Sequence, residues 1–271
     1  MATYLDTILE RTRARLAQAV RRRRFEDLDR EARDVGPARD FPAAIWSPGL
    51  SLIAEFKRRS PSKGVIREGV DPAEVAAAYE DGGARALSVL TEPEFFGGTL
   101  DDLGKARDAT ALPALRKDFV LDTYQIVEAR VGGADAVLLI VAALPDVGLF
   151  GDLAAAAEHY DLAALVEVHS EWELDQAFEI EPQIVGINQR DLRTFDVDTG
   201  LAARLRKQIP RESAVVAESG IATRADVEAL EAAGVDAMLV GEALMRAGDP
   251  AEAVRELLGA GGDAGDEEDR R

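Results

Sequence analysis

Three observations in the amino-acid sequence predict an α/β fold of the (β/α)8 barrel class with an extra N-terminal helical segment. Eight short, nearly uninterrupted apolar runs follow Pro48-Gly49, as expected of parallel strands that are covered on both faces. A longer helical pattern follows each run, and glycine-containing strings precede several runs. Eight strand–helix units in about 210 residues favour a closed barrel over a doubly wound sheet.

Strands and helices are predicted in strict alternation. The predicted strands occupy residues 52–56, 86–90, 113–116, 136–141, 163–168, 184–187, 214–217 and 237–240. The predicted helices occupy residues 71–81, 101–109, 122–131, 153–159, 170–179, 199–207, 223–233 and 249–258. Several helices begin at Asp, Ser or Thr and end near Gly, which is typical of helix caps. At residues 82–84, 132–134 and 233–235, glycine just before a strand predicts a helix that ends in the left-handed conformation.

The regions on either side of the predicted barrel, which spans residues 46–258, differ from it in composition. Residues 1–45 are charged and predict a helical extension, whereas residues 259–271 are acidic and glycine-rich, which is typical of a disordered tail. Acidic neighbours between residues 26 and 31 cancel the basic cluster at residues 21–24. We therefore interpret that cluster as a solvated helix face rather than a nucleic-acid patch.

Composition excludes several classes of function. The chain has 32 Lys plus Arg against 51 Asp plus Glu, and the resulting net charge of −19 argues against nucleic acid or an anionic membrane as a partner. It has no Cys and two His, which excludes a thiolate nucleophile and disfavours a metal site. No apolar run reaches the ~18 residues of a membrane span, and the N-terminus lacks a signal-peptide core, so we expect a cytoplasmic protein.

Lysine is scarce, because the basic residues are 27 Arg and only five Lys. An acidic, lysine-poor composition is typical of salt-loving cells, where salt screens the repulsion between carboxylates. Two of the five lysines, Lys57 and Lys117, end the first and third apolar runs. A lysine can be tuned to transfer a proton near neutral pH and an arginine cannot, so both are acid/base candidates. Glu55 lies two residues before Lys57 and points the same way on a strand.

Polar residues also end the fifth and sixth runs, where a barrel carries its active site. Glu167 ends the fifth run and is an acid/base candidate, because a carboxylate at the barrel mouth is costly unless it is paired. We interpret His169, on the same face, as a packing or helix-starting residue. Asn188 and Arg190 follow the sixth run and share one face. Asn188 can orient a hydroxyl or carbonyl group, and Arg190 can hold an anion bidentately.

The seventh and eighth runs end in Glu218-Ser219-Gly220 and Gly241-Glu242, so each places a glycine just before a helix. Barrel phosphate sites use backbone N–H groups in these two loops. The sequence has neither the dinucleotide-binding pattern GxGxxG nor the P-loop pattern GxxxxGK[ST]. These residues predict an enzyme for a phosphorylated small molecule that uses neither a metal nor a nucleotide cofactor.

Seven strings that carry these candidates together resemble the indole-3-glycerol phosphate synthase family of tryptophan biosynthesis, in a haloarchaeal-type form. They occupy residues 53–64, 87–98, 115–119, 165–169, 186–192, 217–221 and 240–245. The first, IAEFKRRSPSKG, is highly specific. The resemblance implies a cofactor-free carbon–carbon lyase. Its reaction converts 1-(2-carboxyphenylamino)-1-deoxyribulose 5-phosphate to indole-3-glycerol phosphate and releases CO₂ and water.

The resemblance also implies a role for each site residue. Lys117 acts as general acid on the ketone oxygen, and Glu167 is an acid/base group that stabilises positive charge on the nitrogen. Lys57 with Glu55 serves the dehydration and orients the substrate carboxylate. The other implied residues position the hydroxyls and the ring (Asn188, Ser219 and Glu218), hold the phosphate (Ser60, Arg190, Gly220, Gly241 and the backbone of Glu242) or form the apolar wall for the anthranilate ring (Phe96 and Phe119).

Two alternatives stay open at this point. Another phosphate-binding barrel, phosphoribosylanthranilate isomerase, uses a Cys/Asp pair that a chain without Cys lacks. A non-catalytic barrel that serves as a binding module predicts the loss of a proton-transfer residue. We expect a monomer or weak homo-oligomer, with contacts to other tryptophan-pathway enzymes as a further possibility. The chain departs from the resemblance at Gln189, where the family often has Asn, and at Ala243, where many members have Ser.

Overall fold

A computed structural model describes residues 3–191 and 194–260 of the chain. Its strands are β1 (Ser51–Phe56), β2 (Arg59–Ser60), β3 (Gly64–Val65), β4 (Ala86–Leu90), β5 (Ala114–Lys117), β6 (Ala136–Ile140), β7 (Ala163–Val168), β8 (Ile184–Asn188), β9 (Ala214–Glu218) and β10 (Ala237–Val240). Eight of them close into a parallel barrel in the order β1-β10-β9-β8-β7-β6-β5-β4, which confirms the predicted fold class. The other two, β2 and β3, pair as an antiparallel hairpin just after β1 that the sequence analysis did not predict.

The helices are α1 (Tyr4–Arg22), α2 (Phe25–Asp34), α3 (Phe41–Ile45), α4 (Pro72–Gly82), α5 (Leu100–Asp108), α6 (Thr123–Val131), α7 (Val147–His159), α8 (Glu171–Ala177), α9 (Leu201–Leu205), α10 (Arg224–Ala233), α11 (Glu242–Arg246) and α12 (Pro250–Leu258). Gly83, Gly133 and Gly234 have φ of 101°, 89° and 74°, which confirms the predicted left-handed helix ends. In the described part of the chain, no helix is long and apolar enough to cross a membrane.

Two predicted helix boundaries are wrong. Helix α7 begins at Val147 rather than 153, because the Asp146 side chain caps it by accepting from Leu149 N. Helix α9 is shorter than predicted and continues as a 3₁₀ turn over Arg206–Gln208. The predicted disordered tail covers residues 259–271, of which residues 261–271 lie outside the described part of the chain.

Three strands extend one residue further than the apolar runs that predicted them. Lys117, Asn188 and Glu218 are each the last residue of their strand, and the register pairs Asn188 with Glu218 and Lys117 with Leu90. Conversely, β6 stops at Ile140, because the next residue begins a 3₁₀ turn. These three polar residues at the barrel mouth therefore belong to the strand ladder rather than to the loops.

The N-terminal segment packs against both ends of the barrel. Helix α3 lies under the amino ends, where the Ser51 hydroxyl at the start of β1 donates to Ala44 O and Ile45 O, each at 3.0 Å. Helix α1 lies at the carboxyl ends and buries Leu5 and Ile8. Between them, inward-facing strand residues such as Leu138, Leu165 and Leu239 form one apolar cluster with α1 and α3. A second, larger cluster packs the strands against the outer helices.

Candidate active site

A cavity of about 510 Å³ opens at the carboxyl ends of the barrel strands. All fourteen predicted site residues line it, namely Glu55, Lys57, Ser60, Phe96, Lys117, Phe119, Glu167, Asn188, Arg190, Glu218, Ser219, Gly220, Gly241 and Glu242. Their coming together follows from the fold, because parallel strands bring their carboxyl ends to one rim. Their individual roles stay predictions.

Lys117 occupies the centre of the site between two buried carboxylates. Its Nζ lies 2.7 Å from Glu167 Oε2 and also donates to Glu218 Oε2. Burial alone would lower the pKa of Lys117, but the two carboxylates outweigh it and raise that pKa. Burial, reinforced by the charge of Glu167, raises the pKa of Glu218 to about 8. The centre of the site therefore pairs the Lys117 ammonium with a carboxyl, Glu218, that keeps its proton to a higher pH than an ordinary glutamate, and both groups can donate a proton.

His169 contacts Glu167 at the carboxylate oxygen that Lys117 does not contact. Its Nε2 lies 3.2 Å from Glu167 Oε1, and its Nδ1 lies 3.0 Å from Glu173 Oε2. Burial acts to lower the pKa of His169, but the two carboxylates outweigh it and raise that pKa to about 10. For Glu167 burial acts to raise the pKa, but Lys117 and His169 hold it below its usual range. His169 is therefore a charged partner of the site. It also stands just before the N-cap of α8, where its backbone N donates to Glu173 Oε2, in keeping with the interpretation as a helix-starting residue.

Asn188 connects three parts of the site. Its Nδ2 donates to Glu167 Oε1 at 3.1 Å, and its Oδ1 accepts from Ser219 Oγ at 2.8 Å and from Arg190 N at 3.1 Å. Ser219 has a positive φ of 66°, which is uncommon for a residue with a side chain and marks a constrained backbone. Gly220 follows with φ of 75°, so the two residues turn the chain sharply at the rim.

Lys57 and Glu55 form a second ion pair, with Lys57 Nζ 2.6 Å from Glu55 Oε1. Gly241, predicted only to let a phosphate approach, leaves the space that the Glu55 carboxylate fills. Gly186 does the same for Glu218, since a Cβ there would lie 2.5 Å from Glu218 Oε1. Sequence reasoning missed this use of Gly186, although a glycine inside a buried strand signals a close approach.

The two ends of the cavity differ in character. At one end Phe96 and Phe119 face each other with ring centroids 6.4 Å apart, close to apolar residues of α1. At the other end Lys63 and Arg246, which sequence reasoning missed, line the cavity beside the predicted phosphate residues. Their cationic groups lie 3.9 Å and 3.2 Å from Glu242 Oε1. The arrangement suits a ligand with an aromatic end and an anionic end. In the described residues, no group of three or more His, Asp or Glu could hold a metal ion.

Similarity to known proteins identifies the family. The family described as "Indole-3-glycerol phosphate synthase" matches residues 5–257. This chain belongs to the indole-3-glycerol phosphate synthase family. It is 55% identical to "Indole-3-glycerol phosphate synthase 2" of Streptomyces coelicolor over 82% of this chain and 86% of that protein. It is 46% identical to the indole-3-glycerol phosphate synthase of Mycolicibacterium smegmatis over 96% of this chain and 95% of that protein.

Solved structures with low sequence identity share the fold alone. A 3-hexulose-6-phosphate synthase matches with a TM-score of 0.60 and 18% identity, over 78% of this chain and 99% of that one. Thiamine phosphate pyrophosphorylase from Pyrococcus furiosus matches with a TM-score of 0.58 and 18% identity, over 82% and 97%. Membership of the indole-3-glycerol phosphate synthase family confirms the predicted enzyme class, a carboxy-lyase of tryptophan biosynthesis that acts on a phosphorylated small molecule.

Proposed function

We propose that the cavity at the carboxyl ends of the strands performs all three steps of the synthase reaction with its own side chains. The observation that carries this proposal is the buried Lys117 ammonium between Glu167 and Glu218, in a cavity that also has aromatic and cationic lining residues. A substrate with an anthranilate ring and a phosphate, laid along the cavity, brings its ketone towards Lys117.

Ring closure comes first. The ring carbon that bears the carboxylate attacks the ketone carbon, and Lys117 gives a proton to the ketone oxygen. The ring nitrogen gains positive charge, which the ionised Glu167 stabilises. The bond to the carboxylate then breaks, its electron pair returns to the ring, and CO₂ leaves. General acid catalysis of this kind contributes about 10²–10⁴-fold to a rate.

Dehydration follows at the second pair. Lys57, held by Glu55 at 2.6 Å, protonates the new hydroxyl, which leaves as water. Loss of a proton from the neighbouring carbon to a carboxylate completes the indole. Before CO₂ leaves, the same Lys57 ammonium orients the substrate carboxylate, while Asn188 and Ser219 position the hydroxyls.

Binding is divided between the two ends. The rings of Phe96 and Phe119 form the wall for the anthranilate ring. Arg190 can hold a phosphate bidentately, and backbone N–H groups at the glycine turns supply further donors. The residues that bind the phosphate are Ser60, Arg190, Gly220, Gly241 and the backbone of Glu242.

Replacing the central lysine tests this proposal. Lys117→Met retains much of the side-chain volume and removes the ammonium, so we expect turnover to fall by at least ~10²-fold, the scale of a lost general acid. The measurement is the fluorescence of the indole product. Lys105→Met is the matched control, because Lys105 is exposed and pairs with Asp101 on α5, away from the cavity lining. Turnover of a folded Lys117→Met protein near that of the unchanged enzyme would refute the assignment.

We further propose that the enzyme works in the cytoplasm of a salt-loving cell as a monomer or weak homo-oligomer. Support comes from the net charge of −19, the lack of Cys and the five lysines among 32 basic residues. Sedimentation of the purified protein in molar KCl tests the oligomeric state. Co-purification with other tryptophan-pathway enzymes tests whether it contacts them.

A further inference from the structure

Arg15 of α1 reaches two buried carboxylates next to the cavity. Its Nη1 donates to Glu92 Oε1 at 2.8 Å and its Nη2 donates to Asp118 Oδ1 at 3.0 Å. Both partners are almost inaccessible, with Glu92 0% and Asp118 2% exposed. A charge buried to this degree needs a fixed counter-charge. The planar Arg15 guanidinium contacts both carboxylates, and Asp118 is also paired with the buried Arg116, whose Nη2 lies 3.2 Å from Asp118 Oδ2.

Glu92 builds the loop that carries the first aromatic residue of the wall. One of its oxygens accepts from Phe95 N at 2.6 Å and from Phe96 N at 3.1 Å, and the other accepts from Glu94 N at 3.1 Å. The carboxylate therefore organises the turn after β4. Arg15 holds that carboxylate on the side facing α1.

Asp118 does the same for the second aromatic residue. It stands between Lys117 and Phe119, and its Oδ1 accepts from Phe119 N at 2.8 Å. Its Oδ2 accepts from Thr91 Oγ1 at 2.8 Å, which links it to the end of β4. Arg15 contacts Oδ1, the oxygen that orients Phe119.

We propose that Arg15 is a positioning residue that sets the spacing of the Phe96–Phe119 wall from outside the cavity. One guanidinium fixes the two carboxylates that shape the two loops, so the wall depends on α1 as well as on the barrel. The inference rests on the proposed function, because it treats this wall as the site of the anthranilate ring. Arg15 does not line the cavity, so it acts only through Glu92 and Asp118.

The test compares ligands for the two ends of the cavity. Anthranilate probes the aromatic end and inorganic phosphate probes the cationic end, each as a competitive inhibitor of turnover. For Arg15→Met we expect the inhibition constant of anthranilate to rise about tenfold, since small displacements of binding groups have large effects. We expect the constant for phosphate to stay within about twofold, because that end has no contact with Arg15. Arg15→Lys retains the positive charge but loses the two-pronged guanidinium, so its inhibition constant for anthranilate should lie between those of the unchanged enzyme and Arg15→Met. Arg15→Lys also provides the test if Arg15→Met does not fold.

Two controls separate the possible failures. Arg11 lies on α1, like Arg15, and its Nε is 3.5 Å from Oε1 of the exposed Glu94 in the loop after β4. Arg11→Ala removes this exposed ion pair and should leave both inhibition constants unchanged. Phe96→Ala removes the wall itself. If Phe96→Ala weakens anthranilate and the Arg15 variants do not, the positioning role is refuted. An equal loss for both ligands in the Arg15 variants refutes it as well, because that indicates general loosening. If Phe96→Ala also leaves anthranilate unaffected, the proposed ring site itself is wrong.

Discussion

At the residue scale, two carboxyls that share one ammonium have pKa values shifted in opposite directions. Lys117 and His169 together hold the pKa of Glu167 below its usual range, whereas burial and the charges of Glu167 and Glu55 outweigh Lys117 and raise the pKa of Glu218 to about 8. Carboxyls in such unlike surroundings can take unlike roles. In the proposed chemistry, Glu167 stabilises positive charge while Lys117 donates, and the Glu218 proton keeps the group near neutral.

The charged state of His169 predicts a dependence of stability on pH. The folded protein holds this proton up to about pH 10, while an ordinary histidine releases it near 6.5. The stabilisation is therefore complete below pH 6.5 and is lost as the pH rises to 10. His169→Gln should remove a slope of up to about 1.4 kcal/mol per pH unit from the unfolding free energy. Urea denaturation across pH 6.5–10 measures it.

A second variant tests the cause of that slope. Glu173→Gln removes one of the two carboxylates that hold the imidazolium, so the slope should end at a lower pH. Identical slopes in the unchanged protein and in His169→Gln would show that His169 is not charged in the fold.

The lysines of the site are the residues that sequence reasoning found most readily, because a scarce residue type stands out where it ends an apolar run. The sequence did not single out three acidic residues that support the site, namely Glu92, Asp118 and Glu173. Arg15 and Asp118, for example, are 103 residues apart, and only the folded chain brings them together. Their signal in the sequence is that of ordinary surface acids.

At the element scale, glycines in or just after barrel strands make room for carboxylates of the site. A Cβ at Gly186 would lie 2.5 Å from Glu218 Oε1 and 2.6 Å from Leu165 Cδ2, so either the strand or the carboxylate must shift. For Gly186→Ala we expect about 1–3 kcal/mol of destabilisation, the usual cost of overpacking. Displacement of Glu218 should lower turnover about tenfold or more.

The chain offers a matched glycine as the control. At Gly104, inside α5, a Cβ would have its nearest contact at 3.6 Å, with Gly132 O. Gly104→Ala should therefore stabilise the protein by about 0.5–1 kcal/mol and leave turnover unchanged. Thermal denaturation and steady-state kinetics give both quantities. A fully active Gly186→Ala enzyme would contradict the spatial argument.

The order of elements could be predicted because each barrel strand is a short apolar run between capped helices. The ends of elements could not, since they depend on tertiary contacts. Lys117, Asn188 and Glu218 are polar, yet ladder bonds to neighbouring strands keep them in β structure. The β2–β3 hairpin is two residues on each side, too short to leave a periodic pattern.

At the scale of the whole molecule, the charge of −19 predicts a response to salt. The Debye length falls from about 30 Å at 0.01 M to about 3 Å at 1 M, so KCl should screen the repulsion between surface carboxylates. We expect the urea midpoint to rise with KCl over this range. A neutral solute at equal osmolality is the control. A midpoint indifferent to KCl would refute the proposed adaptation to salt.

The apolar cluster beneath the cavity continues down the barrel to α3 under the amino ends. Within the described residues, packed apolar side chains therefore block the lower end of the cavity. Ligands enter and leave through the mouth, beside α1 and the β2–β3 hairpin. Substrate enters, and the indole product, carbon dioxide and water leave, along one route. The product must therefore leave the cavity before the next substrate molecule can bind. Substrate cannot occupy the cavity while product is bound there, so accumulating product should slow the enzyme as a competitive inhibitor.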